Sequence, residues 1–257
     1  MKYQVLSTAI FLTALSSDYV MSAESSREAI ELKQKSEEES LHEVDSKAQA
    51  ALASGDILKA IKYYETFLKA FPNSYEGLVY LGGIYGKKKD FKKEIELCNR
   101  AIRLNPSLAL GHVNLGTAQL YLKKWQEAEK SFLTGYKYAQ MNKDVRSLQG
   151  ASYSLSNYYL ASPDSDNLQA IKWADICISH LPECLVDGRG LPKGFGDLLK
   201  QDNEQLMWIY ESAIMNKAGA HANMNDLKTA RIILEEYLQK YPESLDVRVM
   251  LLSLEGR

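Results

Sequence analysis

The sequence has 257 residues, of which 46% are hydrophobic and only 6 are proline. This length and composition suffice for one or two globular domains with a buried core. The 31 basic and 33 acidic residues give a formal net charge of -2, which leaves no basic excess to hold a phosphate backbone. We therefore expect no nucleic-acid partner.

The N-terminal segment, residues 1–23, has the features of a secretory signal peptide. Lys2 gives a positive start, residues 3–17 are mostly apolar, and Ala23 is a small residue before a possible cleavage point. The apolar stretch is short and interrupted by Ser and Thr, so a retained membrane anchor is the second choice and we expect no stable membrane span. The alternative is a frayed helix that stays on a cytosolic protein.

Residues 24–40 mix many charges with few apolar side chains. This composition predicts either a solvated capping helix or a flexible lead-in.

A fixed spacing then recurs along the chain. Pro72 and Pro106 are 34 residues apart, and Ala60 and Glu94 each precede their proline by 12 residues. The same 12-residue spacing is found at Ala170 and Pro182, at Ala230 and Pro242, and at Ala128, where Gln140 replaces the proline.

The segments before these positions share a second pattern. Leu78, Leu81, Gly82 and Tyr85 follow W-x2-L-G-x2-Y with Leu for Trp, and His112, Leu115, Gly116 and Gln119 follow it with two departures. Gly150 stands 34 residues after Gly116. With this period and this pattern, residues 41–257 resemble the tetratricopeptide repeat family, whose helix-turn-helix units stack into a right-handed superhelix. The resemblance implies an all-α fold, an α-solenoid of about five repeats.

The packing logic of such repeats predicts roles for several residue types. Small residues, including Gly82, Gly116, Gly150 and the recurring alanines, let paired helices approach closely. Tyr64, Tyr85, Phe132 and Leu234 fill the space beside them. Each proline stops a second helix, and the pairs Gly55-Asp56, Lys89-Asp90 and Asn225-Asp226 occupy the turns inside the repeats.

The spacing places repeats at 41–74, 75–108, 109–142, 143–184 and 211–244, with a C-terminal capping helix at 245–257. The fourth repeat is longer because its first helix and turn extend before Ala170. Residues 185–210 form an insertion between the fourth and fifth repeats.

The three cysteines, Cys98, Cys177 and Cys184, lack the CxxC spacing of a zinc or redox site. Cys98 falls on the apolar side of a helix. Cys177 and Cys184 flank Pro182, and two alternatives stay open for them: a disulfide across that turn in an oxidising compartment, or reduced core thiols.

No catalytic pattern is present. Gly188, Gly190, Gly194 and Gly196 fit neither phosphate-binding spacing, so they predict a flexible loop. The histidines are scattered, and neither H-E-x-x-H nor G-x-S-x-G occurs. We expect no catalytic residue, no metal site and no cofactor. An enzyme whose chemistry lies in the 185–210 insertion is the remaining alternative.

The family resemblance implies that the first helices line a concave groove that holds a peptide or helix of another protein. The predicted lining consists of Glu76, Val79, Tyr80, Leu110, Val113, Asn114, Thr117, Tyr121 and Ser147, flanked by Asp45, Gln49, Gly83, Ala151 and Ser154. The basic clamp with which some members grip acidic chaperone tails is absent, because Asp45, Gln49, Tyr80, Leu110 and Asn114 stand at the matching places.

These observations predict a non-enzymatic scaffold that binds other proteins and is exported, in the periplasm or cell envelope of a bacterium. The alternatives are a carrier similar to secretion chaperones or a secreted effector, each using the same groove. An uncleaved leader would indicate a cytoplasmic protein.

Overall fold

The computed structural model describes residues 30–180 and 198–255, with the backbone alone for 198–206 and 255. Within these ranges the chain forms α-helices and no β-strand. The helices are α1 (residues 30–53), α2 (Ile57–Ala70), α3 (Tyr75–Lys87), α4 (Phe91–Leu104), α5 (Ala109–Tyr121), α6 (Trp125–Asn142), α7 (Val145–Ala161), α8 (Asn167–Ser179), α9 (Leu198–Asn223), α10 (Leu227–Lys240) and α11 (Leu245–Glu255).

Aspartate side chains start most of the second helices, α2, α4, α8 and α10. The carboxylates of Asp56, Asp90, Asp166 and Asp226 each accept a hydrogen bond from the backbone N–H three residues further on. Such a bond satisfies one of the four backbone donors that a helix leaves unpaired at its N-terminus. These aspartates, three of which belong to the predicted turn pairs, therefore fix where the four helices begin.

The turn inside most of the repeats reverses the chain through one left-handed residue. Gly55, Lys89, Lys123 and Asn225 have φ between 59° and 80°. The next residue then donates its N–H to a carbonyl five residues back, as Asp90 does to the Tyr85 carbonyl at 2.9 Å. The predicted turns at Gly55-Asp56, Lys89-Asp90 and Asn225-Asp226 are confirmed, and the third turn uses Lys123 in the same conformation.

Proline ends three of the second helices. Pro72, Pro106 and Pro242 each lie two residues beyond the last residue of α2, α4 and α10, because proline can neither donate a backbone hydrogen bond nor fit the helix interior. In α6, Gln140 stands in place of proline, and the helix continues to Asn142 before Lys143 ends it in a left-handed conformation.

Because α6 is longer than the other second helices of regular repeats, the first helix of the fourth repeat begins at Val145, two residues later than the 34-residue period predicts. Gly82 and Gly116 each lie seven residues after the start of their helix, whereas the seventh residue after the start of α7 is Ser152. Ser152 is fully buried, while a β-carbon on Gly150 would lie 3.9 Å from Val113. The prediction that Gly150 serves as the small residue of this crossing is therefore wrong.

The chain divides into two compact units, the first ending at Gly77 and the second beginning at Leu78. In the first unit, Tyr64 is buried and its hydroxyl donates to the Asp45 carboxylate at 2.6 Å. Gln49 also donates to Asp45. The Asp45 carboxylate thus holds α1 and α2 together.

In the second unit, neighbouring helices pack in the order expected of stacked pairs: α4 on α5, α5 on α6, α6 on α7, and so on to α10 on α11. The alanines of the recurring pattern, Ala128, Ala170 and Ala230, have no exposed surface, and large side chains pack beside them. One cluster contains Ala128, Phe132, Leu155, Tyr158 and Trp173, and another contains Ala218, Ala230, Leu234, Tyr237, Val247 and Leu254.

Part of the predicted insertion between the fourth and fifth repeats is helical. Residues 198–210, assigned to the insertion, are helical and continuous with the first helix of the fifth repeat, so α9 has 26 residues. The predicted signal peptide, the glycine-rich loop and Cys184 lie outside the described residues. Among the helices that are described, none is long and apolar enough to cross a membrane.

Candidate functional site

The first helices of the second unit lie side by side. The Asn114 amide on α5 donates to the Val79 carbonyl on α3 at 3.4 Å, and α5 packs on α7. The Asn216 amide on α9 donates to Asn157 Oδ1 on α7 at 2.7 Å. These contacts join α3, α5, α7 and α9 into one continuous surface. We call it the first-helix face and define it by Tyr80, Asn114, Thr117, Tyr121, Tyr153, Asn157, Trp208 and Asn216.

Four of the nine predicted groove residues lie on this face. Tyr80 is 37% exposed and Tyr121 is 66% exposed. Asn114 and Thr117 are half-buried, and the Thr117 hydroxyl donates to the Val113 carbonyl one turn earlier. Leu110, half-buried in the first turn of α5, lies at the edge of the face.

Glu76 belongs to the first unit. Its side chain is half-buried, and this burial raises the pKa of its carboxyl group, while a hydrogen bond from Tyr75 lowers it. Glu37 and Glu38 also raise this pKa.

Three predicted groove residues are buried in the helix packing. Val79 and Val113 are 1% and 6% exposed, and Ser147 is 4% exposed. Val113 Cγ2 would lie 2.9 Å from a β-carbon on Gly135 of α6, so its side chain fills the α5–α6 crossing. The backbone N–H of Ser147 donates to the Asp144 side chain that caps α7. A partner cannot contact these three side chains without unpacking the helices.

Sequence reasoning missed residues on α7 and α9. Ala151 was predicted to flank the groove, but it is fully buried. Because α7 begins two residues later than predicted, Tyr153 takes the position that was assigned to Ala151. The ring of Tyr153 packs edge-on against Trp208, with centroids 5.4 Å apart and an interplanar angle of 71°. The missing proline at Gln140 was the signal for this shift. Trp208 and Asn216 were missed because the predicted lining stopped at the fourth repeat.

Two of the exposed rings are supported from one side by a neighbour. Tyr121 stacks on Phe91 of α4, with centroids 4.6 Å apart and an interplanar angle of 7°. Trp208 is 58% exposed, although Tyr153 contacts it. Rings held in this way present apolar area with little conformational freedom left to lose on binding.

The face carries very little charge. The α5 sequence has no Lys, Arg, Asp or Glu, and Arg146 is the single charged residue of α7. In the part of α9 whose side chains are described, Glu211 accepts a hydrogen bond from Tyr237 and Lys217 forms an ion pair with Asp175 at 2.7 Å. The middle of the face is therefore built from aromatic rings and amides.

Two histidines of the described second unit, His112 and His221, make side-chain contacts, and its two described cysteines are buried. His112 Nε2 lies 3.0 Å from the Pro106 carbonyl, and His221 Nδ1 lies 3.2 Å from Asp226. Cys98 and Cys177 are free and fully buried thiols, and burial raises the pKa of Cys177 to about 12. Such thiols are almost entirely protonated at neutral pH, so they are poor nucleophiles.

No group of three or more potential metal ligands is found among the side chains that the structure describes.

One buried carboxyl group is unusual. Glu94 of α4 is 3% exposed, its Oε2 atom has no hydrogen-bond partner, and burial raises its pKa to about 8. It stands where the other repeats have alanine, opposite Gly86, whose missing side chain makes room for it.

Paired helices, most of them joined by a left-handed turn residue and stacked through small residues, define an α-solenoid of tetratricopeptide repeats. Two sequence models described as tetratricopeptide repeat match this chain, one at residues 46–109 and one at residues 212–244. The chain therefore contains tetratricopeptide repeats.

Solved structures show the same fold. BtubC from P. vanneervenii aligns with a TM-score of 0.60 and 14% identity, over 79% of this chain and 80% of that protein. TTC0263, described as a thermophilic TPR protein in Thermus thermophilus, aligns with a TM-score of 0.54 and 15% identity, over 86% and 100% of the two chains. MamA aligns with a TM-score of 0.53 and 20% identity, over 76% and 95%. At these identities the likeness concerns the fold.

Proposed function

We propose that this protein is a non-enzymatic scaffold that binds a segment of another protein on the first-helix face. The observation that carries the proposal is the exposed, supported tyrosine at position 121, which lies on a surface continuous from α3 to α9. Stacked repeats provide extended surfaces for peptides, and aromatic anchors dominate the binding energy of such surfaces.

The proposal includes export. The charge, apolar stretch and small residues of positions 1–23 support a leader that is cleaved near residue 23, and we place the mature protein in the periplasm or cell envelope of a bacterium. The carrier and secreted-effector alternatives use the same face and differ in where the protein and its cargo are found.

A tagged-protein experiment tests both parts. The chain is tagged at its C-terminus and expressed in its host, cells are fractionated, the mature N-terminus is determined, and crosslinked partners are recovered. We expect a start near Glu24 and envelope proteins among the partners. A retained Met1 with cytosolic cargo would support the carrier alternative.

Two variants test the face. Tyr121→Ala removes an exposed ring, so we expect partner recovery to fall while the melting temperature stays within about 2 °C, because exposed substitutions change stability little. Leu168→Ala is the matched control, since Leu168 is 71% exposed on α8 and lies outside the face. Equal recovery with wild type and Tyr121→Ala would show that the partner binds elsewhere.

We expect a different result for Val113→Ala, although Val113 was assigned to the predicted groove. Since Val113 is buried between helices, its truncation lowers the free energy of unfolding rather than removing a partner contact.

A further inference from the structure

We propose that the segment bound on the first-helix face is an uncharged, proline-rich stretch in an extended conformation. This inference rests on the proposed function and names the chemistry of its partner. The charge of the face, its hydrogen-bonding groups and the exposure of its side chains all favour such a ligand.

Charge complementarity excludes strongly charged segments. A carboxylate or ammonium group that leaves water must find an opposite charge, otherwise its desolvation opposes binding. In α9, Glu211 accepts a hydrogen bond from Tyr237 of α10 and Lys217 forms an ion pair with Asp175 of α8. The helix α5 contains no charged residue and α7 contains Arg146 alone, so the middle of the face offers few counter-ions.

An amphipathic helix is also disfavoured. Such a ligand needs a hydrophobic groove of exposed aliphatic side chains, into which its own apolar side chains insert. The aliphatic residues that would form such a groove here, Val79 and Val113, are 1% and 6% exposed. What remains accessible are separate rings, Tyr80, Tyr121 and Trp208.

The donors of the face are suited to a ligand that supplies carbonyl oxygens. Proline keeps its carbonyl oxygen but has no N–H. The indole of Trp208 can only donate, and a tyrosine hydroxyl can donate. Asn157 accepts from Asn216 through Oδ1, which leaves its Nδ2 group to donate to a ligand. A proline-rich segment supplies carbonyls to these donors without adding unpaired N–H groups.

The exposed rings match the side chains of such a segment. Pyrrolidine rings are flat and apolar and pack on aromatic faces, as in other grooves that bind polyproline helices. The segment is extended before binding, so it loses little conformational entropy. Tyr121, stacked on Phe91, and Trp208, held edge-on by Tyr153, are the two rings we assign as anchors.

Titration calorimetry with the chain from residue 24 onward tests the inference. The probe is a twelve-residue peptide of Pro-Pro-Ala units, blocked at both ends. The comparison peptides have the same length: a Gly-Ser peptide, a Pro-Pro-Ala peptide with two Ala→Glu changes, one with two Ala→Lys changes, and an amphipathic helix. We expect binding of the first peptide, and binding at least about tenfold weaker for the Gly-Ser and the charged peptides.

The variants locate the binding. Tyr121→Ala and Trp208→Ala should each weaken binding of the Pro-Pro-Ala peptide about tenfold, as expected for aromatic anchors, and Leu168→Ala should leave it unchanged. Quenching or a shift of tryptophan emission that is lost in Trp208→Phe gives an independent readout, because Trp208 is the most exposed of the three tryptophans: Trp173 is buried and Trp125 is half-buried.

The outcomes separate the two proposals. If a charged peptide or the amphipathic helix binds at least as tightly and depends on Tyr121, the proline inference is overturned while the first-helix face keeps its function. Failure of the Pro-Pro-Ala peptide to bind, with cellular partners still recovered through Tyr121, has the same meaning. If neither peptide binding nor partner recovery depends on Tyr121, both proposals are wrong.

Discussion

Gly116 shows how closely the paired helices approach at one residue. A β-carbon at this position would lie 2.6 Å from Phe132 Cδ1 and 3.1 Å from the Ala128 carbonyl oxygen on α6. The ring could move slightly, but the backbone oxygen belongs to a helix and cannot move alone. Glycine at this position is therefore required by packing, and the contact lies within the third repeat.

The two glycines that the sequence pattern treats as equivalent should respond in opposite ways. Gly116→Ala should destabilise the protein by about 1–3 kcal/mol through overpacking. Gly150→Ala, where a β-carbon meets nothing closer than 3.9 Å, should stabilise it by about 0.5–1 kcal/mol, because alanine favours the helix. Urea unfolding of both variants measures these changes. Stabilisation by Gly116→Ala would contradict the close approach of α5 and α6.

The Glu94 carboxyl group makes stability depend on pH. Burial raises its pKa to about 8 in the folded protein, from an ordinary value of 4.5. Because the folded state favours the protonated form, this contribution to stability is fully present below about pH 4.5 and is lost as the pH rises through about 8. The loss between these values is at most about 1.4 kcal/mol per pH unit.

Glu94→Gln isolates this effect, since glutamine has nearly the same shape and does not ionise. We expect the difference in unfolding free energy between wild type and Glu94→Gln to grow from pH 5 to pH 8 in favour of the variant. Cys98 is the neighbouring titratable group, and its pKa is raised well above this range by burial and by Glu94. Parallel pH profiles for the two proteins would show that Glu94 is hydrated in the folded state.

At the scale of the helix, the aspartate caps and one missing cap form a natural comparison. Lys124 precedes α6 with φ -86° and ψ 71°, close to the -90° and 69° of Asp90, but it makes no side-chain cap bond. The backbone is thus already arranged to receive an aspartate. Among the second helices with a described start, α6 is the one that lacks this cap.

Lys124→Asp should therefore stabilise the protein by about 0.5–1 kcal/mol, by supplying an acceptor for a backbone N–H at the start of α6. Asp90→Ala is the converse change and should destabilise by about 1 kcal/mol. Thermal unfolding compares both with wild type. If Lys124→Asp leaves the melting temperature unchanged while Asp90→Ala lowers it, the start of α6 does not limit stability.

The helices and turns were largely predictable from sequence because their signals are local. Asp90 begins a helix through its own side chain, Pro106 ends it two residues past Leu104, and Ala128 is small where two helices cross. The extension of α6 was not predicted, because the fixed 34-residue period was applied across Gln140, where the proline that enforces it is missing. One local change therefore displaced the assignments on α7.

The candidate site was less predictable than the helices, because exposure depends on the neighbouring helix in the stack. Val113 and Tyr121 lie on the same helix and were assigned to the same groove, yet they are 6% and 66% exposed. Val113 faces Gly135 of α6, whereas Tyr121 has Phe91 of α4 on one side. A repeat pattern gives the direction of a side chain, while its neighbours decide whether a ligand can reach it.

At the scale of the whole second unit, the helices differ in how many neighbouring helices pack against them. The helix α5 packs on α4, α6 and α7, whereas α11 packs on α9 and α10. On α11, Leu245, Val249 and Leu252 form a stripe with 70%, 66% and 59% exposure. In stacked repeats, where each pair of helices contacts only its neighbours, stability is roughly a sum over these local contacts.

Hydrogen exchange should therefore reveal a gradient of protection along the second unit. We expect the backbone amides of α5 to exchange most slowly and those of α11 to exchange fastest, since a helix with fewer covering contacts opens at lower free energy. Val247→Ala, which truncates a fully buried side chain in the α9–α11 cluster, should speed exchange in α9, α10 and α11 and leave α5 and α6 unchanged. Equal loss of protection in α5 would mean that the repeats of this unit open together. If each repeat were stabilised only by its neighbours, a truncation in α11 would not affect hydrogen exchange in α5.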